Sequence, residues 1–274
     1  MVNWTQHVAS GSRADVDGVE VFYVERGSGR PLVLVHGWAS SSYSWRHNVP
    51  ALSRHFRVIA LDLPGFGLSQ KLPTGLRLKP LNDHLTRFFD KIGVDRFALV
   101  GMSMGGPVSV YYAVNNPEKV SKLILVNPAL FGAGTGRRRA PVKLLSRWPF
   151  YSIASRIFIS KSFIRNALKQ VYVKQSILDE ELVEAYYQSV KLSGKTLIDA
   201  FHIMQEFNLE LLSKVRCPVL FVLGGRDTLV PYEKNRDAAE RIGAKVLIDP
   251  ESGHGVHEEN PEFVNNVILD FLKD

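Results

Sequence analysis

Four short apolar runs, most of them followed by helical spacing, constrain the fold of this chain more than any other feature. Leu32-Val33-Leu34-Val35, Val58-Ile59-Ala60-Leu61, Phe97-Ala98-Leu99-Val100 and Leu123-Ile124-Leu125-Val126 have no polar face. Strands of that kind are buried on both sides, as in a parallel sheet covered by helices. Helical spacing is read over 49–56, 78–92 and 108–115. The alternation predicts a parallel sheet with helices on both faces. Ahead of it, 19–24 alternates after the turn signal Asp17-Gly18, so the start reads as two short strands.

The pattern changes at about Phe131. From there to 212 no buried strand run recurs, and helices are expected over 142–148, 153–158, 163–172, 180–192 and 196–207. A strand over 218–223 restores the alternation, followed by a helix over 233–241, a strand over 246–248 and a helix over 263–272. The sequence thus divides into a core of 1–130 and 213–274 and a helical insertion over 131–212. With 274 residues, 45% of them hydrophobic, one α/β domain carrying an insertion fits better than two independent domains.

Charge and cysteine content narrow the function classes. The net charge is +7, but ten of the 34 Lys and Arg lie between 131 and 178, a stretch without Asp or Glu. The remaining 24 face 27 acidic residues, so the surplus is local and excludes a general nucleic-acid-binding surface. Cys217 is the single cysteine, which excludes an internal disulfide. It precedes Pro218 at the start of an apolar run and is expected to be buried and inert. The first 15 residues lack an apolar leader, and no stretch is long and apolar enough to span a bilayer, which gives the expectation of a cytoplasmic protein.

The chemistry centres on Gly101-Met102-Ser103-Met104-Gly105, placed between an apolar run and a helical pattern. A strand that turns sharply into a helix lifts a serine hydroxyl towards a cleft, and its flanks leave no room for side chains. The adjacent helix start favours negative charge. A serine hydroxyl needs a base, and that base an orienting carboxylate, from loops at the C-terminal ends of later strands. Asp227, in Gly224-Gly225-Arg226-Asp227-Thr228, and His254, in Ser252-Gly253-His254-Gly255, follow such strands in the required order. The expected oxyanion hole consists of the backbone N–H groups of Met104 and Trp38, the latter in His36-Gly37-Trp38. The Trp38 ring reads equally as a pocket wall or as core packing. His257 is expected at the start of the last helix, in a structural role. His36 precedes the serine in sequence. His7, His47, His55, His84 and His202 read as surface or packing residues.

These motifs resemble the α/β-hydrolase fold superfamily over essentially the whole chain. They are His36-Gly37-Trp38, Asp62-Leu63-Pro64-Gly65-Phe66-Gly67-Leu68-Ser69, Gly101 to Gly106, Gly225-Arg226-Asp227 and Gly253-His254. The resemblance implies a mostly parallel eight-stranded sheet flanked by helices, a helical cap formed by the insertion, and no cofactor or metal. The stretch 36–46 is similar to epoxide hydrolases and haloalkane dehalogenases, which use an aspartate nucleophile. Ser103 stands in that place and argues against both activities. An aspartyl ester is opened by water, whereas a serine would be left as a stable ether. Asn127 occupies a position where some members carry the acid, and its amide favours Asp227 instead.

The expected activity is hydrolysis of carboxylic esters, as a carboxylesterase or lipase acting on a small-molecule ester. Alternatives on the same triad are carbon–carbon bond hydrolysis of vinylogous diketones and cofactor-free perhydrolysis. A different class is a non-catalytic small-molecule receptor. The basic insertion, with apolar residues from Leu144 to Ile164, has three readings: transient contact with anionic lipid surfaces, attraction of anionic substrates, or a solvated basic face over a packed apolar one. Oligomeric state is left open.

Overall fold

The computed structural model describes residues 2–131 and 160–273. β1 (Ser12–Val16) and β2 (Val19–Arg26) form a hairpin whose turn residues, Asp17 and Gly18, take left-handed φ of 55° and 80°. β2 runs antiparallel to β4 (Arg57–Leu61). β3 (Pro31–Val35), β5 (Phe97–Met102), β6 (Val120–Val126), β7 (Val219–Gly224) and β8 (Lys245–Asp249) complete one eight-stranded sheet, parallel from β4 onward. The order is β1-β2-β4-β3-β5-β6-β7-β8. The chain leaves β3 for β4 on one side and later returns to β5 on the other. That reversal opens a cleft beyond the C-terminal ends of β3 and β5, where open α/β sheets bind ligands.

The pleat divides the apolar runs between two cores. Val33, Val35, Ile59, Leu61, Leu99, Leu123 and Leu125 face α3 (Leu78–Lys91), α4 (Gly105–Asn115) and α9 (Tyr232–Arg241). Leu32, Leu34, Val58, Ala60, Val100, Ile124 and Val126 face Trp45, α2 (Val49–Leu52) and α11 (Pro261–Leu272). Burial on both faces is why these strands carry no polar residues. Between β6 and β7 the described α-helices are α5 (Lys161–Val171), α6 (Glu180–Ser193), α7 (Thr196–Asp199) and α8 (Phe201–Glu206). α5 and α6 share a third core, built from Ile164, Leu168, Leu182, Val183 and Val190 with Tyr43 of the sheet domain. The helices expected over 142–148 and 153–158, and most of the basic run, lie outside the described residues.

Four sequence expectations need correction. The helix expected over 49–56 ends at Leu52, and the chain then folds so that the carbonyls of Ser53 and Phe56 crowd Gly27, leaving no room for a Cβ there. The helix expected over 196–207 breaks at Ala200 into α7 and α8. There the Leu197 carbonyl accepts from the Trp38 indole at 2.8 Å, a side-chain insertion of the kind that interrupts helices. An unexpected helix, α1 (Trp4–Ser10), is closed by a capping box between Asn3 and Gln6. Cys217 is only partly buried, with burial pushing its thiol up to about 11.

Candidate active site

Ser103 occupies the turn from β5 into α4 with φ of 50°, a left-handed conformation that costs a non-glycine residue about 1 kcal/mol or more. The surroundings hold it there. Its amide donates to Val126, and its carbonyl accepts from Gly106 and Ala129 at 2.9 Å. The flanking glycines are required by contact. A Cβ at Gly101 would lie 2.4 Å from the Gly105 carbonyl oxygen, and one at Gly105 would lie 2.7 Å from the carbonyl oxygens of Val35 and His36. α4 therefore starts at Gly105, three residues before its apolar pattern becomes visible.

The fold brings the three separated residues together. Ser103 Oγ is 2.9 Å from His254 Nε2, and His254 Nδ1 is 2.7 Å from Asp227 Oδ2. A carboxylate only accepts, so Nδ1 carries the proton and Nε2 offers its lone pair to the serine hydroxyl. Asp227 Oδ1 accepts the amides of Leu229 and Val230, both at 2.9 Å, which locks the carboxylate. Asp227 and His254 are buried, while Ser103 is partly exposed.

The two segments expected to supply amides border this serine. Met104 caps α4 directly after Ser103. Gly37 lies against the turn, since a Cβ there would sit 3.1 Å from Ser103 Cβ, and Trp38 follows it. Trp38 is 49% exposed and its ring rests against Phe201, so it is not core packing.

The remaining histidines separate clearly. His36 is buried and pinned, with Nε2 accepting from the Leu63 amide at 3.0 Å and Nδ1 donating to the Gly37 carbonyl at 2.7 Å. Burial pulls it down to about 4 against that carbonyl bond, so it fixes the loop as a neutral ring. His257 sits in a separate short helix, α10 (Val256–Glu259), and not in α11. It packs on Trp45 at 4.5 Å, and burial pulls it down to about 4 as well. His55 and His202 are exposed. His7 and His84 are buried and His47 is partly buried.

Sequence reasoning missed the residues that hold the His254 loop. Glu259 Oε1 accepts the Gly253 amide at 2.7 Å, while Oε2 accepts the amides of Val173 and Lys174, both at 2.8 Å. The Val171 carbonyl accepts the amides of His254 and Gly255. Glu258 is buried with Arg46, and the hydroxyls of Tyr172 and Tyr186 donate to it at 2.6 and 2.7 Å. Burial pushes the Glu258 carboxyl up, but Arg46, His257 and the two tyrosine hydroxyls together outweigh it and hold the group below its ordinary value. Asn127, after β6, reaches both the end of β7 and the His254 loop. No spacing rule in one sequence marks these contacts, because all but the Glu259–Gly253 bond join segments far apart in the chain.

A mostly parallel sheet with a serine on its nucleophile turn, and a histidine and an aspartate on later strand-end loops, defines a class of α/β hydrolytic fold. A family model described as alpha/beta hydrolase fold matches residues 30–261. The chain belongs to that family, and at that level it is a hydrolase. It is 32% identical to the uncharacterized hydrolase YugF of Bacillus subtilis, covering 95% of this chain and 97% of that one. It is 29% identical to a soluble epoxide hydrolase of a Corynebacterium species, covering 95% and 96%. It is 28% identical to the 2-hydroxy-6-oxo-6-(2'-aminophenyl)hexa-2,4-dienoic acid hydrolase of Metapseudomonas resinovorans, covering 93% and 88%. Among solved structures it is similar to a bacterial membrane phospholipase A, with 26% identity and a TM-score of 0.79 over 97% of this chain and 87% of that one. Among the described residues, no helix is long and apolar enough to cross a membrane.

Proposed function

We propose that this protein hydrolyses carboxylic esters through a covalent acyl-serine intermediate. The observation that carries the reading is the unbroken line from Ser103 Oγ through His254 to Asp227, with the imidazole lone pair turned to the serine. Ser103 Oγ attacks the ester carbonyl as His254 Nε2 takes its proton. Asp227, already bonded to Nδ1, stabilises the resulting imidazolium. The amides of Trp38 and Met104 hold the tetrahedral oxyanion. The imidazolium protonates the leaving alcohol. Water, deprotonated by the same His254, then attacks the acyl-serine and releases the acid and free Ser103. The core of 1–130 and 213–274 supplies the reacting groups, and the segment 131–212 acts as a cap that shapes the acyl site.

Ester chemistry fits the serine better than epoxide opening does, because attack on an epoxide would leave a serine ether. The likeness to a phospholipase supports the ester class. The Metapseudomonas relative favours a second reading, hydrolysis of a carbon–carbon bond beside a carbonyl, which the same serine and histidine could begin. Labelling with a fluorophosphonate, followed by assays with p-nitrophenyl esters and with a vinylogous diketone, separates these. A Ser103 adduct with ester turnover supports the first reading, diketone turnover without ester turnover supports the second, and no adduct overturns both.

A further inference from the structure

Asn127 lies at the end of β6, between the strand that presents Ser103 and the strand that leads to Asp227. It is wholly buried, at a left-handed φ of 40°. Its own amide donates to the Val222 carbonyl in β7. Its side chain is fully used. Oδ1 accepts the Gly224 amide at 2.8 Å, and Nδ2 donates to the carbonyls of Gly253 at 3.0 Å and His254 at 2.8 Å. The orientation is fixed by its partners, since an N–H demands the oxygen and two carbonyls demand the nitrogen. Gly224 is the last residue of β7, three before Asp227, and a Cβ there would lie 2.1 Å from the Gly253 carbonyl oxygen. The two loops therefore touch at one point, and Asn127 spans it.

We infer that Asn127 is a positioning residue that sets the separation of Asp227 and His254, and that it is not a vestigial acid. The inference rests on the proposed roles of that pair. Its two nearest relatives do not fit the three bonds. Aspartate has no donor for two carbonyls and would set negative charge against both oxygens. Glutamine places the same amide one methylene further out. A carboxylate at 127 would stand against the Gly253 and His254 carbonyls, and the imidazole Nδ1 is already bonded to Asp227.

The test compares Asn127→Asp, Asn127→Gly, Asp227→Asn and Asp227→Asn/Asn127→Asp. Glycine takes positive φ without strain, so Asn127→Gly keeps the backbone and removes only the clamp. Misplacement of about 1 Å costs on the order of 100-fold in rate, so kcat on a p-nitrophenyl ester is expected to fall by about that factor in Asn127→Asp and by about tenfold or more in Asn127→Gly, with KM nearly unchanged. The downfield proton resonance of the His254–Asp227 hydrogen bond should broaden or disappear in both, and the double variant should be no more active than Asp227→Asn. Wild-type kcat with the resonance intact in Asn127→Gly, or recovery in the double variant, overturns the inference. The resonance needs no substrate. If it responds while the parent shows no ester turnover, the positioning role stands and the ester reading fails.

Discussion

The carboxylate of Glu259 takes the amide of Gly253, the residue before His254, at 2.7 Å, and its other oxygen takes two amides from the strap that follows α5. One acidic side chain thus ties the histidine loop to the segment between β6 and β7. Glu259→Gln replaces one acceptor oxygen by an N–H₂ group facing N–H donors. Leaving such a group unsatisfied costs about 1–3 kcal/mol, so urea unfolding should show a loss of that size. A fall in kcat larger than any change in KM should accompany it. Unchanged stability and kcat would show that the strap does not depend on this residue.

Ser103→Ala should abolish hydrolysis of p-nitrophenyl esters while the circular dichroism spectrum is retained. Asp227→Asn places an N–H₂ group or a lone carbonyl against Nδ1 and permits the wrong imidazole tautomer. By analogy with the protease triad, kcat should drop by about 10⁴. Pure Ser103→Ala protein that keeps turning over ester would remove the serine from the mechanism.

Arg46 and Glu258 form a buried ion pair that also receives two tyrosine hydroxyls. Arg46→Met leaves the carboxylate uncompensated, a change that typically costs about 3–5 kcal/mol. Adding Glu258→Gln should recover part of that loss. Additive losses in the double variant, measured by chemical denaturation, would mean that the pair is not coupled.

Acid stability follows from buried rings. Burial pulls His7, His36 and His257 from 6.5 to about 4, with Arg46 adding to the effect on His7 and His257. Each folded value lies below the unfolded one. The stability these rings contribute is complete above pH 6.5 and is lost as pH falls towards 4. Asp62 acts in the opposite sense: burial pushes it up to about 6 against bonds from Leu68 and Ser42, so acidification through pH 6 returns some stability. Near pH 5 the unfolded chain binds about two more protons at these four groups, a slope of about 2–3 kcal/mol per pH unit. Urea midpoints measured from pH 7 to 4.5 should fall accordingly, and His257→Leu should flatten the curve by about one proton. A flat profile in the parent would contradict the neutral, buried rings.

The strands were legible because burial on both faces leaves a continuous apolar run, as in Leu123 to Val126 of β6 and Leu32 to Val35 of β3. The positions of Ser103 and Asp227 were legible because each follows such a run at a loop, and that of His254 because its loop follows the short apolar run of the edge strand β8. The start of α4 was hidden, since Gly105 and Gly106 carry no periodicity and are dictated by contacts with Val35, His36 and Pro128. Asn127 was noticed only for not being acidic. Its work is done through backbone groups 97 and 126–127 residues away, and a backbone group leaves no mark on the sequence. The break at Ala200 likewise depends on Trp38, 159 residues from the carbonyl it caps.

The Val171 carbonyl accepts the amides of both His254 and Gly255. The end of α5 is therefore part of the scaffold that aims the imidazole. Exchanging the whole stretch between β6 and β7 for that of another hydrolase, a natural route to new selectivity, would exchange this support as well. A graft that keeps 171–174 from the parent should retain turnover, whereas one that replaces them should lose it even with a well-shaped pocket. On the proposed reading, the part that chooses the substrate and the part that moves the proton are not interchangeable modules.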